Sequence, residues 1–402
     1  MIKYLIGVVI FILSQGIFDY ILFDPMNEKR KMKIGIDAKW LFRGQISGKV
    51  FIQNILRELF KLHPEVEWHI FLNKKDKDFP VPFGKETAQV HYVWARFNML
   101  SNLFVLPSYA KQLNLDAVLF QTFSPRGKSF KSIVFIHDVL FKNYPEHFTW
   151  KERLYFKPVK WTIVFADRIV TTTEYVSREL ERLRFTKATQ QVDIVPLGVK
   201  SIFRPRHQHD NEFLKTIRQK YSLPDLYILF VGRLNSRKNI QGLIRSLPAV
   251  NNQNISLVIA GDRSWKKAPI DHLSSEKNIR KRIIFTGAVT DEELSALYAM
   301  ANIFCFPSFA EGFGLPPLEA MASGVPVIVS NNTAMPEVCD NAALFIDPHD
   351  PRAIAEKIND LLQNDGLYHQ KVTEGLQWSS QYSWRRTAEG IMKSIFAVLD
   401  KP

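Results

Sequence analysis

Cysteine is scarce in this sequence. Two cysteines, Cys305 and Cys339, occur among 402 residues, and neither has another cysteine near it in the chain. A disulfide framework or a cysteine-ligated zinc site requires more cysteines at closer spacing. We therefore expect a reducing compartment and no structural zinc.

Internal repeats and recognisable nucleic-acid-binding modules are also missing. We find no repeat of solenoid length, no low-complexity tract, no basic DNA-reading helix and no aromatic RNA-binding strand. The formal net charge is nevertheless +13, and residues 33–205 carry most of it, with 27 lysines and arginines against 16 acidic residues. This asymmetry favours an anionic partner at the N-terminal half, either a bilayer surface or a phosphate-bearing acceptor rather than nucleic acid. A solvated basic face is the alternative explanation.

The only long apolar run lies at residues 4–23 and is interrupted by Gln15 and Asp19. It is about long enough to cross a bilayer. More basic residues follow it than precede it, namely Lys29, Arg30, Lys31 and Lys33 against Lys3. The positive-inside rule then leaves the rest of the chain in the cytoplasm, peripheral to or anchored in the membrane. Alternatively, translation begins at Met32 and the extension 1–32 is not made; a cleaved signal peptide fits worse, because no small-x-small site follows.

Beyond residue 33 the chain alternates short β-rich runs with helical stretches, as parallel sheets flanked by helices require. Because 402 residues exceed what one compact core usually absorbs, we predict two domains, divided by a polar, proline-containing linker at 199–224. The predicted fold class is α/β, with two Rossmann-like doubly wound parallel sheets. Strands are predicted at 33–37, 68–72, 90–94, 117–120, 132–136, 168–172 and 192–195, and then at 227–231, 256–260, 282–285, 303–306, 326–329 and 343–346.

The most informative segment follows the predicted strand 303–306 and runs from Glu311 to Glu319 (EGFGLPPLE). Ligands of parallel sheets bind beyond the carboxyl ends of the strands. Gly312 and Gly314 allow close backbone approach, and free N–H groups at the following helix start attract an anion such as a diphosphate. We predict Glu319 in the first helical turn, accepting hydrogen bonds from vicinal hydroxyls as of a ribose, and Glu311 within reach of a sugar hydroxyl. Both acids could instead merely favour the helix dipole.

A second loop, from Gly232 to Lys238 (GRLNSRK), follows the predicted strand 227–231. Arg233 and Lys238 can neutralise the charge that builds on a departing diphosphate, and Arg237 could take this part instead. Solvated basic residues around a turn are the alternative.

Two segments of the first domain are weaker candidates. His137 directly follows the predicted strand 132–136, although a lone histidine is more often structural than catalytic. The loop from Gly44 to Gly48, before the predicted helix KVFIQNILRELF, could hold a phosphate, although a plain connector is more common for glycines at this spacing.

These segments together resemble the retaining glycosyltransferases of family four, which have the two-domain GT-B fold. The resemblance is closest in the second domain, in YILFVGRLNSRKNI, LVIAGD, IIFTGAVTDEELSALYAMANIFCFPSFAEGFGLPPLEAMASGVPVIVSN and PEV. FIHDVLFKNYPEHF, ADRIVTTTEYVSREL and IVPLGV are similar to the family in the first domain. The resemblance covers about residues 33–400. It implies an acceptor-side domain at 33–198, a nucleotide-sugar-binding domain at 225–383 and a final helix at 384–402 that crosses back to the first domain.

The resemblance also implies roles for individual residues. Glu311 and Glu319 match the family's Glu-x7-Glu pair, for the donor hexose and the ribose, and Arg233 and Lys238 match its basic pair on the diphosphate. His137 matches the active-site histidine near the transferred sugar. The remaining donor-site positions are Gly232, Gly312, Phe313, Gly314, Leu315 and Gly48. The match at Gly44 to Gly48 is imperfect, because the family usually has a tighter glycine pattern followed by Arg-Tyr.

The implied reaction transfers a hexosyl unit, of mannosyl or glucosyl type, from a nucleotide-diphosphate sugar to a saccharide or lipid-linked acceptor with retention of configuration. The leaving phosphate takes the acceptor's proton, so no enzyme nucleophile is required. No metal and no cofactor besides the donor substrate are expected, and Asp76 and Asp78, the only Asp-x-Asp, are expected in a solvated turn. A nucleotide-sugar 2-epimerase and a non-catalytic sugar-binding relative are the alternatives.

Overall fold

The computed structural model describes residues 30–44, 46–84, 86–94, 97–261 and 277–400. The apolar stretch at 4–23, for which we expect either an anchor or an untranslated extension, lies outside the described residues. Within those ranges, no helix combines the length and the apolarity needed to cross a bilayer.

The first domain is built on a parallel sheet. Its strands are β1 (Lys33–Asp37), β2 (Glu67–Asn73), β3 (Gln89–Val93), β4 (Ala117–Gln121), β5 (Lys131–Ile136), β6 (Arg168–Thr171) and β7 (Val192–Ile194). In the described part of the chain they form a seven-stranded sheet with the order β3-β2-β1-β4-β5-β6-β7.

The second domain repeats this plan. Its strands are β8 (Tyr227–Val231), β9 (Ser256–Ala260), β10 (Ile283–Gly287), β11 (Ile303–Phe306), β12 (Val327–Ser330) and β13 (Ala343–Ile346). Over the described residues they form a six-stranded sheet with the order β10-β9-β8-β11-β12-β13. The predicted α/β class with two doubly wound parallel sheets is therefore confirmed.

The central strands are nearly continuous apolar runs because helices cover both faces of each sheet. All five residues of β4 are buried, for example, as are four of the five in β8. In each sheet successive strands are added first towards one edge and then towards the other, and this order reverses between two central parallel strands, β1 and β4 in the first sheet and β8 and β11 in the second. Such a switch point leaves a crevice at the carboxyl ends of the strands, where ligands of this architecture bind.

Helices and helical turns connect the strands. They are α1 (Ile46–Leu62), α2 (Asn98–Leu100), a π-helical turn (Ser101–Val105), α3 (Leu106–Gln112), α4 (Leu140–Asn143), α5 (Trp150–Phe156), α6 (Val159–Thr162), α7 (Glu174–Arg182), α8 (Asn211–Lys220), α9 (Ile240–Ser246), α10 (Lys277–Lys281), α11 (Asp291–Met300), α12 (Leu315–Ala322), α13 (Met335–Cys339), α14 (Pro351–Gln363), α15 (Asp365–Ser379) and α16 (Trp384–Leu399). Local start signals explain several of them. Thr290 and Glu293 form a reciprocal capping box at α11, and the Asp350 side chain caps α14.

The last helix, α16, packs against α1 of the first domain rather than against the second sheet. The Thr387 hydroxyl donates to the Pro196 carbonyl oxygen over 2.8 Å, and the Ser394 hydroxyl donates to the Asp193 carboxylate over 2.5 Å. Apolar residues of α16, among them Ile391 and Ile395, are fully buried in this contact. The chain therefore crosses between the domains twice, once before α8 and once before α16.

Candidate active site

The second sheet presents a largely buried group of three charged side chains at its switch point, of which one is buried and two are partly exposed. Asn235 caps the short 3-10 turn Ser236–Lys238 after β8, and this turn carries Arg237 and Lys238. Glu311 lies in the loop after β11. Its carboxylate accepts from Lys238 Nζ at 2.7 Å and from Arg237 Nη1 at 2.9 Å. One carboxylate thus stands between two cations.

Burial and charge act in opposite directions within this group. Burial alone would raise the pKa of Glu311, but the positive charges of Arg237 and Lys238 lower that pKa to about 2. Burial lowers the pKa of Lys238 to about 8, although Glu311 opposes the shift. The Lys238 ammonium also lies 4.5 Å from the centre of the Phe306 ring, a cation–π contact. Within this group the two cations exceed the carboxylate by one charge. Asp138 of the first domain adds a carboxyl group close to Arg237, and burial raises the pKa of that carboxyl group.

Arg233 stands apart from this group. Its side chain is exposed, and across the described ranges it has no ion pair or side-chain hydrogen bond. Our expectation paired Arg233 with Lys238, whereas the side chain that lies beside Lys238 is Arg237. The preceding Gly232 has a φ of +152°, and a Cβ on Gly261 would lie 2.1 Å from the Gly232 carbonyl oxygen. These glycines allow the ends of β8 and β9 to approach closely.

Glu319 lies deeper in α12 than the sequence suggests. The helix begins at Leu315, so Glu319 is its fifth residue and not part of its first turn, which corrects our prediction. Its carboxylate accepts from the Tyr298 hydroxyl at 3.0 Å. Burial raises the pKa of Glu319 to about 7, an effect that the Tyr298 hydrogen bond only partly offsets. The side chain therefore changes charge near neutral pH.

The start of α12 offers fewer N–H donors than expected. Gly314 precedes the helix with a φ of +98°, and Leu315 is the first helical residue. Pro316 and Pro317 follow and have no N–H, so only the neighbouring positions can donate to an anion. Phe313 is buried, with its ring edge towards Tyr382 and 6.1 Å between centroids, so its side chain serves packing.

The donor-side loop contacts the first domain directly at Gly312. A Cβ on Gly312 would lie 2.6 Å from Asp138 Cβ and 2.9 Å from the His137 carbonyl oxygen, so only glycine fits there. The hydroxyls of Thr172 and Thr173 donate to the Gly312 carbonyl oxygen over 3.1 and 3.0 Å. The ends of β5 and β6 therefore face the charged group of the second domain across the cleft.

Glu337 makes a second contact between the domains. Its carboxylate accepts from the Glu174 N–H at 2.7 Å and from the Tyr175 N–H at 2.9 Å, the first two amides of α7. Thr173 of the first domain caps only the next amide, that of Val176. Sequence reasoning missed this role of Glu337, because a cap supplied by another domain leaves no pattern near the helix it serves.

His137 lies on the opposite wall of the cleft. Its ring packs edge-on against Phe51 and Phe135, and within the described structure its Nε2 atom has no hydrogen-bond partner although it is buried. Burial lowers the pKa of His137 to about 4, so the imidazole is neutral at physiological pH. The ring is thus free to donate to or accept from a bound hydroxyl.

Gly48 belongs to a helix rather than to a loop. We expected the helix to begin after Gly48, but α1 begins at Ile46. A Cβ on Gly48 would lie 2.3 Å from the Trp40 ring, so packing against this ring explains the glycine. The Trp40 ring lies 6.1 Å from that of His137, which places Gly48 near the cleft. Nearby, Arg43 pairs with Asp76 at 2.6 Å; Asp76 is buried rather than solvated, contrary to expectation.

Known proteins resemble this chain in sequence and in fold. The family described as Glycosyl transferases group 1 matches residues 214–378. The O-antigen chain mannosyltransferase B of Escherichia coli is 34% identical over 260 residues, which cover 63% of this chain and 67% of that protein. The serotype-specific mannosyltransferase WbdA of Escherichia coli is 38% identical over 186 residues, covering 44% of this chain but only 22% of that protein.

Among solved structures, sucrose-phosphate synthase from Thermosynechococcus elongatus superimposes with a TM-score of 0.72 at 18% identity, covering 91% of this chain and all of that one. This likeness concerns the fold. The relatedness to the mannosyltransferases extends to the sequence, and it confirms the resemblance inferred from the motifs. The chain therefore belongs to the Glycosyl transferases group 1, a family of glycosyltransferases.

Proposed function

We propose that the protein is a retaining hexosyltransferase that moves a mannosyl or glucosyl unit from a nucleotide-diphosphate sugar to a saccharide or lipid-linked acceptor in surface-polysaccharide biosynthesis. The observation that carries this proposal is the group of Arg237, Lys238 and Glu311 at the switch point of the second sheet. The names of the two Escherichia coli relatives support mannose as the transferred sugar.

The charged group suits the electrostatic demand of the reaction. As the bond to the sugar breaks, negative charge builds on the departing diphosphate, and fixed cations in a dry site stabilise that charge most effectively. Lys238 and the exposed Arg233 are the cations we assign to the diphosphate, while Arg237 holds Glu311 in place. Glu311 retains lone pairs that can accept from a hexose hydroxyl.

The remaining residues position the reactants. Glu319 accepts from the ribose hydroxyls, and the neutral His137 ring hydrogen-bonds the transferred sugar. The acceptor hydroxyl attacks on the face that the diphosphate leaves, and its proton passes to the leaving phosphate. The protein contributes orientation and charge stabilisation, without an enzyme nucleophile, metal or further cofactor.

The decisive experiment is a thermal-shift panel of GDP-mannose, UDP-glucose and ADP-glucose, followed by NMR analysis of the product formed from the best donor. We expect transfer with an unchanged anomeric configuration and undiminished rate in the presence of EDTA. Incubation of the donor alone addresses the 2-epimerase alternative, which gains no support from the relatives described above. An epimerised sugar, or absence of any transfer, would contradict the proposal.

Glu319 makes donor affinity dependent on pH. Its carboxyl group has a pKa of about 7, so ionisation between pH 6 and pH 8 creates the acceptor that ribose hydroxyls need. We expect the affinity of the wild-type protein for GDP-mannose to rise over this interval. The Glu319→Gln variant should bind about tenfold more weakly at pH 8 and show little pH dependence. Isothermal titration calorimetry at both pH values measures the difference.

Thermal unfolding provides the control for Glu319→Gln. Because the folded-state pKa of Glu319 is raised, the folded protein favours the protonated acid, and wild-type stability falls as the pH rises from about 4.5 to about 7. The glutamine variant should therefore be at least as stable as wild type at pH 8. Equal pH slopes of donor affinity in both proteins would remove the ribose assignment.

We further propose that one surface of the first domain binds a membrane rich in anionic lipid. Helices α5 and α6 expose three large apolar side chains, Trp150 (63% exposed), Leu154 (60%) and Trp161 (59%). The exposed basic residues Lys151, Arg153 and Lys157 lie between them. Aromatic rings beside cations suit the interface of a bilayer rich in anionic lipid.

Flotation with phosphatidylglycerol-containing vesicles tests this surface. The double variant Trp150→Ser, Trp161→Ser should bind about tenfold less than wild type, and raising the salt concentration should weaken wild-type binding. Leu226→Ser, which alters a side chain 37% exposed on the other domain, is the matched control and should bind as wild type does. Salt-insensitive binding, or equal loss in both variants, would exclude this surface.

A further inference from the structure

The switch point of the first sheet contains a polar residue that the assignments above leave unused. Gln121 ends β4, next to Asp37 at the end of β1, and its backbone is held from several sides. The Gln121 carbonyl oxygen accepts from Asn102 Nδ2 at 2.9 Å and from the Phe123 N–H at 2.8 Å, while the Gln121 N–H points to Asp37 Oδ2 at 3.4 Å.

A buried ion pair supports this arrangement. Lys39 Nζ lies 2.7 Å from Asp37 Oδ1 and donates to Asn102 Oδ1 over 2.5 Å, and all three side chains are at most 4% exposed. Asn102 is part of the π-helical turn Ser101–Val105, a feature frequent at functional sites. Buried ion pairs are rarely a source of net stability, so we interpret this one as a rigid support for the end of β4.

The backbone immediately after Gln121 is strained. Thr122 has a φ of +72°, in the left-handed region that β-branched residues avoid. Such strain persists only where surrounding contacts enforce it, and it occurs preferentially at ligand sites. The polar network thus fixes the Gln121 backbone in one position at the cost of strain.

The Gln121 side chain, by contrast, has no partner. Although the residue is only 1% exposed, neither its amide oxygen nor its amide nitrogen makes a hydrogen bond in the described part of the chain. Leaving both atoms of a buried amide unpaired is costly, which calls for a ligand or water to satisfy them. The His137 Nε2 atom is unpaired in the same way.

Gln121 and His137 lie on the same face of neighbouring strands. Gln121 is the register partner of Phe135 in β5, and His137 follows Phe135 by two residues. Because alternate residues of a strand share a face, Leu119, Gln121, Phe135 and His137 all point to one side of the sheet. Two polar side chains with buried atoms that lack a partner in the described structure therefore lie on one face of the sheet, at the ends of the neighbouring strands β4 and β5.

We propose that Gln121 is a substrate-binding residue whose amide holds hydroxyl groups of the acceptor sugar, beside His137. This inference rests on the proposed function. The donor loop contacts the first domain at the ends of β5 and β6, through Gly312, and β4 is the next strand away from that contact. We therefore assign Gln121 to the binding of the acceptor sugar rather than of the donor hexose.

The test is the Gln121→Met variant, which keeps the side-chain volume and removes both hydrogen-bonding atoms. With GDP-mannose as donor and methyl α-mannoside as acceptor probe, we expect the acceptor KM to rise about tenfold while the donor KM stays unchanged. The thermal midpoint should not fall, because an apolar side chain replaces an unpaired buried amide. If Gln121 had only a structural role, the variant would instead have a lower thermal midpoint and an unchanged acceptor KM.

Gln53→Met is the matched control. In the described part of the chain this glutamine on α1 donates one hydrogen bond, of 3.4 Å, to the Leu41 carbonyl oxygen. Both KM values should stay at wild-type levels in this variant. Saturation-transfer NMR of methyl α-mannoside separates this inference from the proposed function. Binding that depends on Gln121 without any transfer would uphold the inference and contradict the function. Normal transfer with an unchanged acceptor KM in Gln121→Met would overturn the inference, and a wild-type protein that neither transfers nor binds would overturn both.

Discussion

Replacing Lys238 by methionine is expected to slow hexosyl transfer by about a hundredfold to a thousandfold. Lys238 is the buried cation nearest Glu311, with 2.7 Å between Nζ and the carboxylate, and its charge would face the departing diphosphate. Methionine can still pack against the Phe306 ring through its apolar side chain, but it removes the ammonium that now lies over this ring and leaves the developing negative charge without this partner. Steady-state kinetics with saturating GDP-mannose measures the loss in kcat.

A surface lysine provides the comparison. Lys215 pairs with Glu212 at the same 2.7 Å, but both side chains are well exposed, at 67% and 78%. Exposed pairs contribute little, so Lys215→Met should keep wild-type activity and stability. If Lys238→Met also turned over at the wild-type rate, the diphosphate would have to bind elsewhere.

Replacing Glu311 by glutamine is expected to impair both folding stability and transfer. The variant leaves Arg237 and Lys238 as two buried cations without their shared counter-charge, which should cost on the order of 3 kcal/mol in the free energy of unfolding at neutral pH. Transfer should fall about a hundredfold, because the cations lose their fixed positions and the donor hexose loses an acceptor. Urea titration and initial rates measure the two effects separately.

The stability loss in Glu311→Gln should depend on pH in a definite direction. The folded-state pKa of Glu311 is lowered to about 2, so its ion pairs stabilise the protein fully above about pH 4.5 and progressively less as the pH falls towards 2. Wild type and variant should therefore converge on acidification. A stability difference that remained constant down to pH 2 would show that the carboxylate charge is not its cause.

Most of the fold was predictable because each strand carries its signal locally. Apolar runs such as Tyr227–Val231 and Ser256–Ala260 are bounded by polar turns, and their alternation with helices dictates parallel pairing. The same argument predicts that residues in the loops after the strands, such as His137 and Glu311, lie at the cleft.

The sequence did not predict which side chains become neighbours in the folded protein. The sequence does not distinguish the roles of Arg237 and Arg233, because both lie in the same loop. Only the folded structure shows that Arg237 pairs with Glu311. The burial that shifts the pKa of Glu319 arises from residues distant in sequence, such as Tyr298. Gln121 ends an unremarkable apolar strand, and its unpaired amide is apparent only from the atoms around it.

The shared cap at α7 has a consequence for the release of products. Glu337 belongs to one lobe and the amides of Glu174 and Tyr175 to the other, so separating the lobes exposes a carboxylate and two N–H groups that water hydrates at once. Each such bond contributes only about 1.5–3 kcal/mol net of water. When the lobes separate to release product, water can take the place of Glu337 at these two amides, while Thr173 keeps its cap on the Val176 amide within the first lobe.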